Sequence, residues 1–243
     1  MLSRLFCWLL TGCIGAGLLA GCVSQANHRT LQDIVFYYGG EVQLQPRRQF
    51  TSAPGWLSGR YLIITLRSPG TVPRYGDARV PASNCALLAF GNLAPDNQNR
   101  YDYYRVSVAE ADTTRTYTFT PAQLAQATRA RTLALSLLDN LQQHNYLSAV
   151  NACNAATYGP LPPDSLLARF RRLPRQLRPF NTYAAQGFQL DTVRLAGKRL
   201  PLVRVVLSVP RYHVEEPPGL LALQINPRMK PTEKFLYGAT VLR

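Results

Sequence analysis

Apolar and polar positions along this chain follow two periods, with breaks marked by proline and glycine. Leu31 to Leu44 reads as a strand, a Gly39-Gly40 turn and a return strand, and Tyr61 to Leu66 as a short buried strand. Pro, Gly and Asp between Ser68 and Ser83, and polar residues from Asn92 to Arg100, read as irregular loops. Tyr104, Val106 and Val108 alternate against Tyr103, Arg105 and Ser107, and Arg115, Tyr117 and Phe119 alternate against Thr114, Thr116 and Thr118. A period of two across a short polar turn predicts a hairpin.

The period changes at Thr120-Pro-Ala-Gln123, a capping-box start with Pro at the first helical position. Ala127, Ala130, Ala134, Leu138 and Leu141, with Leu133 and Leu137 beside them, form one helical stripe to about His144. A short helix over about 147–156 follows. Beyond Gly159-Pro-Leu-Pro-Pro163 a third is predicted over about 164–173, with Leu166, Leu167, Phe170 and Leu173 on one face and Pro174 as its stop. From Phe188 the alternation of Val203, Val205, Leu207 and Val209, then of Leu221, Leu223 and Ile225, returns the chain to strand, with a last strand at 235–242. Strands segregated from helices imply an α+β fold, mainly antiparallel sheet with two or three helices packed on one face. The expected organisation is a single domain over 31–243, with the Pro-rich stretch near 160 as the alternative boundary.

The first residues stand apart from this pattern. Met1 to Arg4 carries one positive charge, and Leu5 to Ala20 is apolar but rises only about 24 Å as a helix, short of a roughly 30 Å hydrocarbon core. The run closes on Leu19-Ala20-Gly21-Cys22. This resembles the lipobox of bacterial lipoproteins. The resemblance covers residues 1–22 and implies a signal peptide over 1–21, cleavage before Cys22, and diacylglycerol and a further acyl chain such as palmitate on that cysteine. It implies a lipid-anchored envelope protein, and because Val23 stands where the inner-membrane retention signal would place Asp, an outer-membrane location facing the periplasm. Residues 22–30 are then a polar tether of roughly 16 Å.

Composition acquires its meaning from that leader. The chain carries 24 Arg, 3 Lys and 13 acids, a formal charge of +14 that on a cytoplasmic protein would point to nucleic acid. Export disfavours that partner and redirects the charge to the membrane and to anionic envelope components: lipid phosphates, lipopolysaccharide, peptidoglycan carboxylates, or another envelope protein. At 47% hydrophobic the chain can bury a core, and 18 Pro with 16 Gly in no triplet period exclude collagen. The densest basic run, Arg169, Arg171, Arg172, Arg175 and Arg178, is a candidate anion site, since guanidinium groups bind such oxygens bidentately. Its alternative is a helix end whose cations complement the backbone dipole. Arg-Tyr pairs at 60–61, 74–75, 100–101 and 211–212 interleave charge with stacking surface.

Of five cysteines, Cys7 and Cys13 lie in the leader and Cys22 takes lipid, which leaves Cys85 and Cys153. In an oxidising compartment they would form a disulfide worth about 4 kcal/mol on the chain-entropy model; otherwise each is a buried thiol acting as a small hydrophobe. Catalytic templates are weak. Gly55-Trp-Leu-Ser58-Gly59 is not a nucleophile elbow, and His28, His144 and His213 stand in no metal-ligand spacing. No cofactor motif is present. The reading is a non-enzymatic binding or scaffold module with a basic surface; the alternative is a periplasmic hydrolase of envelope polymers using Ser58, His213 and Glu215.

Overall fold

The computed structural model describes residues 25–50, 56–67, 69, 77–110, 113–158, 161–176, 183–195, 197–209 and 219–242. Cys22, with the leader, and His213 and Glu215 lie outside them. The first described element corrects the predicted hairpin: residues 25–38 form a helix, α1. Thr30, Ile34 and Tyr38 recur every fourth residue and are buried, a helical stripe that the run of Ile, Val, Phe and Tyr disguised as strand. Gly39, at φ +66°, ends the helix by donating its N–H to the Val35 carbonyl at 2.8 Å. Residues 25–30, within the expected tether, belong to this helix.

The chain forms two compact units, one of 1–71 with 88–121 and one of 72–87 with 122–243. The stretch near 160 belongs to the second of these units. The fold is α+β, with two four-stranded sheets.

In the first unit the sheet runs β1 (Glu41–Gln49), β2 (Gly59–Arg67), β3 (Tyr103–Glu110), β4 (Thr113–Phe119), each beside the next. The β3–β4 pair is the predicted hairpin, with Val106 opposite Tyr117 and Tyr104 opposite Phe119. β2 and β3 pair in parallel, which alternation cannot reveal. Leu62, Ile64, Leu66, Tyr104, Val106 and Val108 are buried on one face. Between these strands the chain passes through α2 (Arg79–Asn92), whose first residues to Ser83 were expected as loop, and a 3₁₀ turn (Pro95–Arg100) within the second expected loop. Thr30 on α1 and Asn92 at the end of α2 are joined: the Asn92 amide donates to Thr30 Oγ1 at 3.3 Å and to Asp33 at 2.8 Å.

In the second unit β5 (Ala184–Leu195), β6 (Lys198–Val209), β7 (Gly219–Ile225) and β8 (Leu236–Leu242) form an antiparallel meander in chain order. The helices are α3 (Pro121–Gln142), α4 (Tyr146–Ala152), α5 (Ala155–Tyr158) and α6 (Pro163–Gln176). The predicted stripe of α3 is buried throughout, from Leu124 to Leu141. Pro174 lies inside the last turn of α6 instead of stopping it. Six α-helices are therefore described, and Leu202, Val203, Val205, Val206, Leu207 and Val209 are buried along β6.

One contact explains how α2 seats on this sheet. Gly187 sits beside a bulge in β5 at φ +148°, and a Cβ there would lie 2.0 Å from the Val80 carbonyl oxygen of α2. Only a glycine allows that approach. Ser83 then ties the elements, donating to Val80 O at 2.7 Å and accepting the Phe188 N–H at 2.7 Å.

Candidate anion-binding surface

The face of the first sheet opposite Leu62, Ile64 and Leu66 carries the most distinctive chemistry, with Tyr61 buried within it. Arg47, Tyr61 and Tyr103 lie side by side on β1, β2 and β3, and Arg105 follows two residues along β3. Trp56, just before β2, lies on this row: the guanidinium carbons of Arg105 and Arg47 stand 3.9 and 4.9 Å from its ring centre. Tyr61 packs edge-on to Trp56 and stacks on Tyr103, each at 4.9 Å. The Tyr61 hydroxyl donates to the Leu57 carbonyl and accepts its N–H, both at 2.7 Å, which pins the turn bearing Trp56. Burial pulls the Arg105 guanidinium below its usual value, an effect the tyrosine side opposes and neighbouring Arg47 reinforces.

At the end of these strands Pro46, Arg47, Arg48, Arg60, Arg100 and Tyr101 line a shallow cavity of about 280 Å³. Asp102 partners one of these cations. Arg60 grips both its carboxylate oxygens, Nη2 to Oδ1 at 3.0 Å and Nε to Oδ2 at 3.2 Å, and the Arg60 backbone N–H adds a third bond at 2.8 Å. These bonds hold the Asp102 carboxyl below the usual range, Arg60's side-chain hydrogen bonds foremost. Among the described residues Arg47, Arg48 and Arg100 form no salt bridge. Arg48 also stacks over Phe50, which is 75% exposed, beside Leu57 at 56%. Cations and apolar side chains thus share one end of the unit, an arrangement suited to anionic groups at an apolar boundary. Two of the four Arg-Tyr pairs, 60–61 and 100–101, fall here; those at 74–75 and 211–212 lie outside the described residues.

The run singled out in the sequence is only partly assembled. Arg169, Arg171 and Arg172 are exposed along α6 while Leu166, Phe170 and Leu173 are buried; Arg175 is in the last turn, and Arg178 lies outside the described residues. Arg169 and Arg172 come together in a groove of about 560 Å³ against β8, and Arg171 does not line it. The sequence missed the first cluster because its members are spread from 47 to 105 and no run marks them.

Cys85 and Cys153 are both buried, with no disulfide between them in the structure. Cys85 is wholly enclosed in α2, where burial pushes its thiol up; Cys153 caps α4, its Sγ donating to the Ala149 carbonyl at 3.3 Å. Ser58 is exposed and its hydroxyl donates to the Phe50 carbonyl at 3.1 Å. His144 is exposed, its Nδ1 at 2.8 Å from the Tyr146 hydroxyl. No protein family, curated protein or solved structure matches the chain.

Proposed function

We propose that this is a lipid-anchored protein of the bacterial envelope, held in the outer membrane through Cys22, that works as a non-enzymatic binding or scaffold module, its basic surface engaging anionic envelope groups. The observation that carries this reading is the gathering of Arg47, Arg48 and Arg100 around one cavity beside exposed Phe50 and Leu57. Anchoring supports it. Cys22 stands only three positions before the first described residue of α1, so at most about 10 Å of chain separates them, close to one Debye length of about 8 Å. An Arg brought to an anionic membrane surface is worth about 1 kcal/mol.

Two measurements test the two parts of the reading. Cys22→Ser should move the protein from the membrane to the soluble fraction, and unchanged fractionation would remove the anchor. The soluble Cys22→Ser chain should then sediment with phosphatidylglycerol vesicles and not with phosphatidylcholine vesicles. Arg48→Gln with Arg100→Gln should weaken that binding by about tenfold, two charges at about 1 kcal/mol each being partly screened. Equal sedimentation with both vesicle types would refute an anion-selective surface.

A further inference from the structure

The groove between α6 and β8 points to a second, different partner. Ser165, Ala168, Arg169, Arg172 and Leu173 form one wall, and Ala239, Thr240 and Val241 the other. Successive residues of a strand point to opposite faces, so three consecutive residues can line one cavity only where it meets the strand edge-on. β8 is the outer strand of its sheet, paired with β7 on one side. Its other side already accepts a short pairing from this chain: Cys153 bridges Leu236 in parallel, and the Asn154 N–H donates to the Leu236 carbonyl at 2.8 Å. That pairing is confined to the start of the strand. The groove lies beyond it, along 239–241, and its volume of about 560 Å³ is within the range of ligand sites.

The occupant follows from the two walls. An edge strand offers N–H and C=O groups in alternation, and only another polypeptide in extended form matches both. Small Ala168 and Ser165 leave it room, and buried Leu173 gives it an apolar floor. Arg169 and Arg172, three residues apart on one flank of α6, face no carboxylate within ion-pair distance among the described residues. We infer that this groove binds an extended acidic segment of a partner protein by strand addition to β8, with Arg169 and Arg172 receiving its carboxylates. A lipid or free phosphate would use the guanidinium groups but not the strand's carbonyls.

The probe is a fluorescent heptapeptide alternating Val with Glu, titrated by anisotropy into the full mature chain carrying Cys22→Ser. It should bind, while its Gln counterpart and the Arg169→Gln, Arg172→Gln double variant should each lose about tenfold or more, since charge-assisted bidentate contacts are removed. Both arginines are exposed, so the double variant should keep the circular dichroism and melting of the parent. Two peptides N-methylated at alternate residues separate strand addition from charge alone: the frame that blocks the N–H set facing β8 should abolish binding, and the other should not. Failure of the Glu peptide to bind up to about 1 mM overturns the proposal, as does equal binding of the Glu and Gln peptides. Equal binding of both methylated frames, with displacement by inorganic phosphate, overturns it too and assigns the groove to free anions. The vesicle result is read through Arg48 and Arg100 and this one through Arg169 and Arg172, so loss of either result leaves the other standing.

Discussion

Gly187→Ala is the sharpest perturbation of the second unit. The new Cβ would lie 2.0 Å from the Val80 carbonyl oxygen and 2.6 Å from Ser83 Oγ, against an ordinary contact of 3.4 Å or more. The obstacle is helix backbone, so α2 or β5 must retreat by about 1.4 Å. Overpacking of this kind costs about 1–3 kcal/mol, and a φ of +148° with a side chain adds about 1–3 kcal/mol of backbone strain. Retreat also breaks the Phe188 N–H bond to Ser83 Oγ, leaving a buried donor unpaired at about 1–3 kcal/mol. These terms overlap, and together they should cost about 3 kcal/mol. With a urea slope of about 2 kcal/mol/M, the unfolding midpoint by circular dichroism should fall by about 1.5 M. Two companions divide the effect. Gly39→Ala, at φ +66° with nothing within 4 Å, carries strain without a clash and should cost about 1–2 kcal/mol. Ser83→Ala removes the hydroxyl without a clash and should cost about 1–3 kcal/mol. A Gly187→Ala midpoint within about 0.3 M of the parent would refute the close approach of α2 to β5.

Two further outcomes concern the thiols and a tyrosine. In unreduced mature protein, Cys85 and Cys153 should both resist alkylation while folded and both react after unfolding, with no mass change on reduction; a two-proton mass difference on reduction would establish a bridge. Burial first, then its hydrogen bond to the Asp139 carboxylate, pushes the Tyr183 phenol up from 10 to about 12. The unfolded chain therefore releases this proton before the folded one does. The stabilisation is complete below pH 10 and declines as pH rises toward 12. Cys85, also raised by burial, acts with the same sign, so the test is the difference between parent and Tyr183→Phe. The two urea midpoints should draw together across that window, and a constant gap would show that Tyr183 is not shifted.

The local periods of this chain were legible where one face of an element is buried and the other is wet. The β3–β4 alternation and the long stripe of α3 are of that kind, because burial itself imposes periods of two and 3.6. α2 had no such signal: Ala82, Ser83, Asn84, Cys85, Ala86 and Leu87 are successive and all buried, so the helix has no polar face to set a period. In α1 the buried Thr30 and Tyr38 broke the contrast that Ile34 alone could not carry. Runs of charge were equally legible as runs, and the arginines of α6 were found that way. Their separation into Arg169 and Arg172 in a groove and Arg171 outside it required the helix to be set against β8. The cluster of Arg47, Trp56, Arg105 and the Tyr61–Tyr103 stack exists only because β2 and β3 pair in parallel and bring residues some forty positions apart into register. The sequence by itself determined which residues must be covered and which carry charge, since those are properties of side chains and their local spacing. Which charges share a site was decided by strand pairing across long loops, and no local period encodes that choice.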